Sequence, residues 1–420
     1  MDDLTDKAKQ ETQHLLWKGD WGFYRPDHQR GLNTVLPTVL DLLGTPQKNF
    51  PTMTRFLPEA TPRDSKRALV MLVDALGYKE FASGERFPAL YQKYGTWVTS
   101  VFPTITSCAV TSLVQGLTPA RHGITGHEIW KDAPGAVIDM LRMCALGEET
   151  DLVKQGFDLD QWRRETGVLQ TKGAKDLPGT NLLPYRFVNS GLSIYAYDHG
   201  SRLGFVDHPE GMVKAGNLLT EMERGWVSLY NGQIDALSHV LGGEHSVVQL
   251  AVRQIEQSIT WLADSLPPAV ARETLLVVVA DHGQNTTQHF LPLHGEPEAW
   301  LAAHSKAIGY SGRVMHVYLG DHPAEPVRDY LQNFLVGNGL VLDYEEAAPL
   351  TGEEREEPFV RQSLGDLVVL LREDWNWEKR PPDPLKSPHE SRLVSQHGSL
   401  GWDELFVPLL AAPLSAMGSR

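Results

Sequence analysis

Cysteine is nearly absent, with Cys108 and Cys144 the only two among 420 residues. Two thiols cannot build the disulfide framework of small secreted domains, nor a thiolate zinc site by themselves, and so a reducing compartment is expected. Long apolar runs are missing too. None approaches the roughly 20 residues that span a bilayer. The first residues, Met1-Asp2-Asp3-Leu4-Thr5-Asp6-Lys7, are acidic and polar where a signal peptide would be basic and then apolar. Together these shortages lead to the expectation of a cytoplasmic protein with no membrane partner. Basic residues are the third shortage: 38 Lys and Arg stand against 53 Asp and Glu, a net charge of −15. That sign repels nucleic-acid polymers and anionic lipid surfaces. A small anionic substrate stays compatible with it, because bound dications would reverse the field inside a cleft.

What is present is an alternation of β-rich apolar runs with helical patterns, in a chain long enough to bury a sizeable core. The alternation predicts an α/β fold with a mostly parallel sheet flanked by helices on both faces. The run Ala68–Val73 ends at Asp74, and Thr274–Ala280 ends at Asp281. Both carboxylates are therefore expected at strand C-termini, the edge where open α/β sheets bind ligands. Leu192–Tyr197 is a third strand candidate, and Val248–Leu266 has helical spacing. Residues 129–190 turn polar and rich in Gly and Pro, which predicts an insertion over the core. A second excursion, Gln284–Glu390, holds strand Val314–Leu319, helix Pro326–Phe334, strand Val341–Tyr344, a helix near Glu354–Gln362 and strand Leu367–Leu371. The resulting plan is a core of residues 1–128, 191–300 and 390–420, with a small α+β cap at 310–385. The tract Arg380-Pro381-Pro382-Asp383-Pro384 reads as the linker back to the core.

Oxygen and imidazole groups with ligand character recur along this plan. Asp235 and His239 are four apart and share one face of a helical turn, so both could reach one ion. Asp281-His282-Gly283 leaves a buried strand with two potential ligands and a glycine that permits a sharp exit. The same tripeptide recurs at Asp198-His199-Gly200, so it does not identify a site alone. His397-Gly398 precedes the apolar segment Leu405–Leu410, the expected place for a last ligand before a final strand. In Val101–Gly116 a loop gives way to a short helix that closes at a glycine, and Thr104, Thr106 or Ser107 could cap it. A hydroxyl at such a helix start lies beside free amide N–H groups that favour anions, and a metal on that hydroxyl would make it a nucleophile.

Taken in order, these motifs resemble the alkaline phosphatase superfamily, most closely its type I phosphodiesterase/nucleotide pyrophosphatase branch. Leu72-Val73-Asp74-Ala75-Leu76-Gly77 resembles the first metal-ligand strand of that branch. Phe102-Pro103-Thr104-Ile105-Thr106 followed by Gln115-Gly116-Leu117-Thr118-Pro119-Ala120-Arg121-His122-Gly123-Ile124 resembles its nucleophile segment, and Gly116, ten positions after Thr106, selects Thr106 over Thr104. Asp235 through His239, Asp281-His282-Gly283-Gln284 and His397-Gly398 follow in the family's order. Asp198-His199 precedes the Asp235 motif and is set aside.

The resemblance implies that Asp235, His239 and His397 hold one divalent ion, most naturally zinc, and that Asp74, Asp281 and His282 hold a second, with Thr106 beside it. Two ions roughly 4 Å apart can clamp an in-line displacement at phosphorus. Thr106 would attack, giving a phosphothreonine that hydroxide then cleaves. Where the family usually has an asparagine on a non-bridging phosphoryl oxygen, this chain has His127, in Thr125-Gly126-His127-Glu128. Phe102 and Tyr78, which flank the site in sequence, are expected as walls of the substrate pocket. Trp162, Arg163, Arg164 and Tyr185 of the insertion and Trp375-Asn376-Trp377 of the cap are further candidates for substrate contact. The implied activity is hydrolysis of phosphodiester or pyrophosphate bonds in a small, nucleotide-like substrate. Phosphonate or phosphomonoester hydrolysis at the same metal site is the enzymatic alternative, and an inactive, metal-stabilised binding protein is the alternative of another class. Sulfatases are excluded because Ser107-Cys108-Ala109-Val110 lacks their proline and arginine.

Overall fold

Arg67–Val73 and Thr274–Val279 are buried at every residue, as continuous apolar runs must be when both faces of a sheet are covered. They lie at the centre of the fold in a computed structural model that describes residues 2–352, 358–380 and 392–419. Along the chain the main sheet takes β1 (Arg67–Val73), β2 (Gly95–Thr99), β3 (Gly179–Pro184), β4 (Ser201–Phe205), β5 (Gly225–Asn231) and β6 (Thr274–Val279). A second sheet takes β7 (Ala307–Ser311), β8 (Val314–Tyr318), β9 (Gly339–Asp343) and β10 (Leu367–Leu371), after which β11 (Phe406–Pro413) returns to the first. The main sheet has the order β2-β11-β6-β1-β5-β3-β4. Strands β6, β1, β5, β3 and β4 are parallel, and β11 runs antiparallel between β6 and β2.

Register decides where the site forms. Val279 pairs with Leu72, so the residues two further on, Asp281 and Asp74, leave the sheet side by side. Asn231 pairs with Val73, and α2 (Gln233–Leu241) begins two residues later at the same edge. Helix α1 (Thr106–Gln115) ends at Gly116, whose φ of 69° is the left-handed conformation a glycine cap adopts. Helix α3 (Ser246–Ser265) buries Val248, Ala251, Val252, Ile255, Ile259 and Leu262, a stripe at helical spacing. The main sheet and its flanking helices match the mostly parallel α/β architecture expected.

The second sheet is antiparallel in the order β7-β8-β10-β9. One of its faces packs Met315, Val317, Val341 and Val369 against Val327, Leu331 and Leu335 of α4 (Ala324–Leu335). The other contributes Val314, Leu342, Val368 and Leu370 to a cluster shared with Phe102, Trp402 and Phe406 of the core. This unit contains the strands and helices expected between Val314 and Leu371, the last helix being described as Pro358–Leu364. The proposed linker lies, beyond Arg380, outside the described residues.

Two sequence expectations are corrected. Leu192–Tyr197 is not a strand: Gly191–Ala196 is helical, and Ser190 caps it by accepting a hydrogen bond from the Ser193 amide at 3.3 Å. Within the stretch assigned to an insertion, Gly179–Pro184 is β3, a paired strand of the main sheet. Its short Leu182-Leu183 centre between Gly, Thr, Asn and Pro carries too little periodicity to read as a strand.

Candidate metal centre and nucleophile

The carboxyl ends of β1 and β6 place two acids in a dry environment. Asp74 is 1% exposed and Asp281 fully buried. Asp281 Oδ1 accepts the amides of Ala75 at 3.1 Å and His282 at 3.0 Å, while the Ser100 hydroxyl donates to the Asp281 carbonyl. Asp74 Oδ2 accepts the Tyr230 hydroxyl from neighbouring β5. The remaining oxygens, Asp74 Oδ1 and Asp281 Oδ2, are buried without a hydrogen-bond donor. They lie 3.5 and 3.3 Å from His282 Nε2. Burial, then the charges of Asp281 and Asp235, push the Asp74 carboxyl well above the usual carboxylate range. Acids so crowded and so desolvated need cationic charge between them to ionise.

Asp235, one helical turn from His239 on α2, faces the same edge. Its Oδ1 lies 3.1 Å from His239 Nε2 and 3.7 Å from His397 Nε2, and accepts the Gln284 side-chain amide at 2.7 Å. Burial raises its pKa, but the hydrogen bond and charge of His239, with the rings of His397 and His282, win and hold it below the ordinary value. All three histidines are oriented through Nδ1. His239 donates to the Ser395 carbonyl at 2.8 Å, His397 to the Thr104 carbonyl at 2.7 Å and His282 to its neighbour Gly283 at 3.0 Å. Fixing Nδ1 on a carbonyl leaves each Nε2 as the free ligand atom, the arrangement of metal-binding histidines. Burial and the adjacent His282 ring, stacked at 3.5 Å, lower the His397 pKa well below its usual value and keep the ring neutral, as a ligand must be.

Ligand atoms of Asp235, His239 and His397 lie within 4.8 Å of one another, and so do those of Asp74, Asp235 and His282. Two unpartnered carboxylate oxygens and three preset imidazoles fit divalent cations with mixed nitrogen and oxygen ligands. Five of the six expected ligands fall in these two clusters, with Asp235 common to both rather than confined to one, and Asp281 adjoins the second through Oδ2, 3.3 Å from His282 Nε2.

Thr106 opens α1, and its Oγ1 is 3.2 Å from His282 Nε2. Thr104, the rival hydroxyl, is fully buried: it donates to the Ser399 carbonyl at 2.9 Å and accepts the Gly398 amide at 2.8 Å. Its hydroxyl braces the His397 loop and does not face the clusters. Thr106, Asp235, His239, His397 and His127 share the lining of a cavity of about 590 Å³. The His127 amide is held by the Ser311 hydroxyl at 2.8 Å, and its Nδ1 is buried without a partner.

Tyr78 and Phe102 do not line that cavity. Both rings are buried in the cluster between core and cap, and the Tyr78 hydroxyl is 2.7 Å from that of Tyr91. Nearness in sequence misleads here because the chain turns inward beside Asp74 and Thr106. Asp198 lies in a different pocket, paired with Arg163 at 2.9 Å. Trp162 is core, Arg164 bonds the Ala120 carbonyl at 2.9 Å, and Tyr185 lines a third pocket. Trp377 and Asn376 of the cap do reach the Thr106 cavity, whereas Trp375 stacks on His289. Sequence reasoning missed Tyr230, Gln284, Tyr310 and Lys379. Gln284, immediately after Asp281-His282-Gly283, was the most accessible of them: it also accepts Ser395 Oγ at 2.6 Å and so ties Asp235 to the strand before His397.

A mostly parallel sheet whose carboxyl edge gathers two candidate metal-binding groups beside a helix-start hydroxyl fits the metal-dependent phosphoester hydrolases of the alkaline phosphatase superfamily. The chain belongs to the type I phosphodiesterase/nucleotide pyrophosphatase family, whose model matches residues 69–143 and 206–403 and so contains all seven positions above. No curated protein matches the sequence. Among solved structures, murine ectonucleotide pyrophosphatase/phosphodiesterase 5 is similar with a TM-score of 0.60 and 16% identity over 82% of this chain and 87% of that one. The same enzyme in an inactive variant was solved in complex with AMP, at 15% identity, a TM-score of 0.60 and coverage of 83% and 88%. Phosphonoacetate hydrolase from Sinorhizobium meliloti 1021, solved with phosphonoformate, is similar with a TM-score of 0.57 and 15% identity over 85% of this chain and 95% of that one.

Proposed function

We propose that this chain is a two-zinc phosphodiesterase or nucleotide pyrophosphatase that uses Thr106 as its nucleophile. The observation that carries the reading is the Thr106 hydroxyl, 3.2 Å from His282 Nε2 and on the wall of the cavity that opens over Asp235, His239 and His397. Asp235, His239 and His397 would hold one ion, and Asp74, Asp281 and His282 the other, with Asp235 near enough to serve both. Such ions supply positive charge that stabilises the oxygens entering and leaving phosphorus and acidifies a hydroxyl.

The residues themselves do the rest. The start of α1 presents amide donors to a phosphoryl oxygen beside Thr106. Thr106 Oγ1 forms the new bond to phosphorus as the bond to the leaving alcohol or phosphate breaks. Water then displaces Thr106 and restores its hydroxyl. His127, where an asparagine is usual, would donate to a non-bridging oxygen. The substrate is a small phosphoester, with a nucleotide the leading class. That AMP is bound by the murine relative's variant supports this class.

Bis(p-nitrophenyl) phosphate with added zinc tests the reading. The wild type should turn it over, and Thr106→Ala should lower kcat by about a thousandfold or more, as expected when a nucleophile is deleted, while retaining its metal. An unimpaired variant would assign the attack to another group. Failure of the wild type with diester, nucleotide sugar, monoester and phosphonate alike, with zinc bound stoichiometrically, would favour a binding protein.

A further inference from the structure

The cavity in front of Thr106 has a second wall that neither the ion ligands nor the nucleophile uses. It comes from Trp375–Glu378, which pairs in parallel with His289–Pro292, and from Tyr310 on β7. Lys379 extends this wall. Its ammonium lies 3.6 Å from the Tyr310 ring centroid and 3.6 Å from Glu128, with 43% of the side chain exposed. Beside it Trp377 is 6% exposed, and its indole Nε1–H is buried without an acceptor. A buried donor left unpaired favours an acceptor that can reach it. The nearby Glu378 carboxylate is occupied by Arg392. The wall therefore sets the partly exposed Lys379 ammonium, with Arg380 and Arg392 on the same lining, beside a tryptophan whose buried N–H has no partner.

We propose that Lys379 and Trp377 form a second anion subsite, which receives a carboxylate or phosphate carried by the substrate away from the phosphorus attacked by Thr106. The inference rests on the proposed function, and it narrows the substrate from any phosphodiester to one with a further negative group. The Tyr310 ring fixes the ammonium by cation–π attraction, and Glu128 pairs with it from the other side of the contact.

The test is equilibrium binding by calorimetry to the full-length, zinc-loaded Thr106→Ala protein in zinc-buffered solution. Methylphosphonate carries only the metal-binding group, phosphonoacetate adds a carboxylate, and methylenebisphosphonate adds a second phosphoryl group. At least one of the doubly anionic probes should bind tenfold or more tightly than methylphosphonate, and which one does so identifies the anion. Lys379→Gln should bring that preference close to unity, and Lys379→Arg should restore most of it. No preference in the parent, including no binding of any probe, overturns the proposal. So does a preference that survives Lys379→Gln. A clear preference in a protein that hydrolyses nothing would leave the subsite standing and remove the hydrolase reading; turnover without the preference would do the reverse.

Discussion

Tyr230 and Asp74 sit on and just beyond adjacent strands, and the phenol donates a hydrogen bond to Oδ2 of the carboxylate. The bond turns the other oxygen, Oδ1, toward His282 Nε2 at 3.5 Å. Outer hydrogen bonds of this kind typically contribute 10- to 100-fold to metal affinity. Tyr230→Phe should therefore fold normally and bind zinc roughly 10- to 100-fold more weakly, as read by competition with a chromogenic chelator. An unchanged affinity would show that Asp74 is oriented by the backbone alone.

Asp235 belongs to both ligand clusters, whereas His239 belongs to one. Asp235→Asn should consequently deplete both of the proposed ions, and His239→Ala mainly one. Metal content after gel filtration, measured by plasma mass spectrometry, separates the cases. An Asp235→Asn protein that retains two ions would assign the second cluster to Asp74, Asp281 and His282 without Asp235.

A fully internal ion pair joins cap to core: Arg313 Nη1 lies 2.8 Å from Glu404 Oε1, with side-chain exposures of 1% and 0%. Glu404 also accepts the Ser399 and Gly401 amides, each at 3.0 Å. Removing one partner leaves an uncompensated internal charge, a loss of about 3–5 kcal/mol. Arg313→Met should lower the free energy of urea unfolding by that amount. A loss below about 1 kcal/mol, the size of an exposed pair, would mean that water reaches Glu404.

Lys131 is fully buried, donates to the Gly123 carbonyl at 3.0 Å and lies near the rings of Trp162 and Phe359. Burial pulls its pKa from 10.5 down to about 7. Between these values the unfolded chain holds the proton and the folded chain has released it, so stability from this group rises with pH from about 7 to 10.5 and is flat outside that window. The slope is at most about 1.4 kcal/mol per pH unit. Urea melts across the window should show the rise in the wild type and its loss in Lys131→Met; parallel profiles would refute the assignment.

Much of this was legible in the residues because the signals were local. The apolar runs ending at Asp74 and Asp281 revealed both strands and the acids at their ends, and the four-residue spacing of Asp235 and His239 revealed their common helical face. Choosing Thr106 over Thr104 needed the distance to Gly116, and the buried bonds of Thr104 give the physical reason for the choice. What escaped was nonlocal. Tyr78 and Phe102 adjoin site residues in sequence yet point into the packed cluster, and Lys379 reaches the cavity from about 270 residues beyond Thr106. Strand β3 was missed because pairing with β5, rather than its own composition, makes it a strand.

The cap and the His397 loop touch through bare backbone. Gly312, at φ 60°, would place a Cβ 2.0 Å from the His397 carbonyl, and Gly398, at φ 122°, would place one 2.1 Å from the Ser311 carbonyl. The Arg313 amide closes the seam by donating to the His397 carbonyl at 3.0 Å. The two units are thus dovetailed at His397, the proposed ion ligand. A chimera bearing a foreign cap would have to inherit this glycine joint, or it would displace the imidazole and lose its ion together with its old specificity.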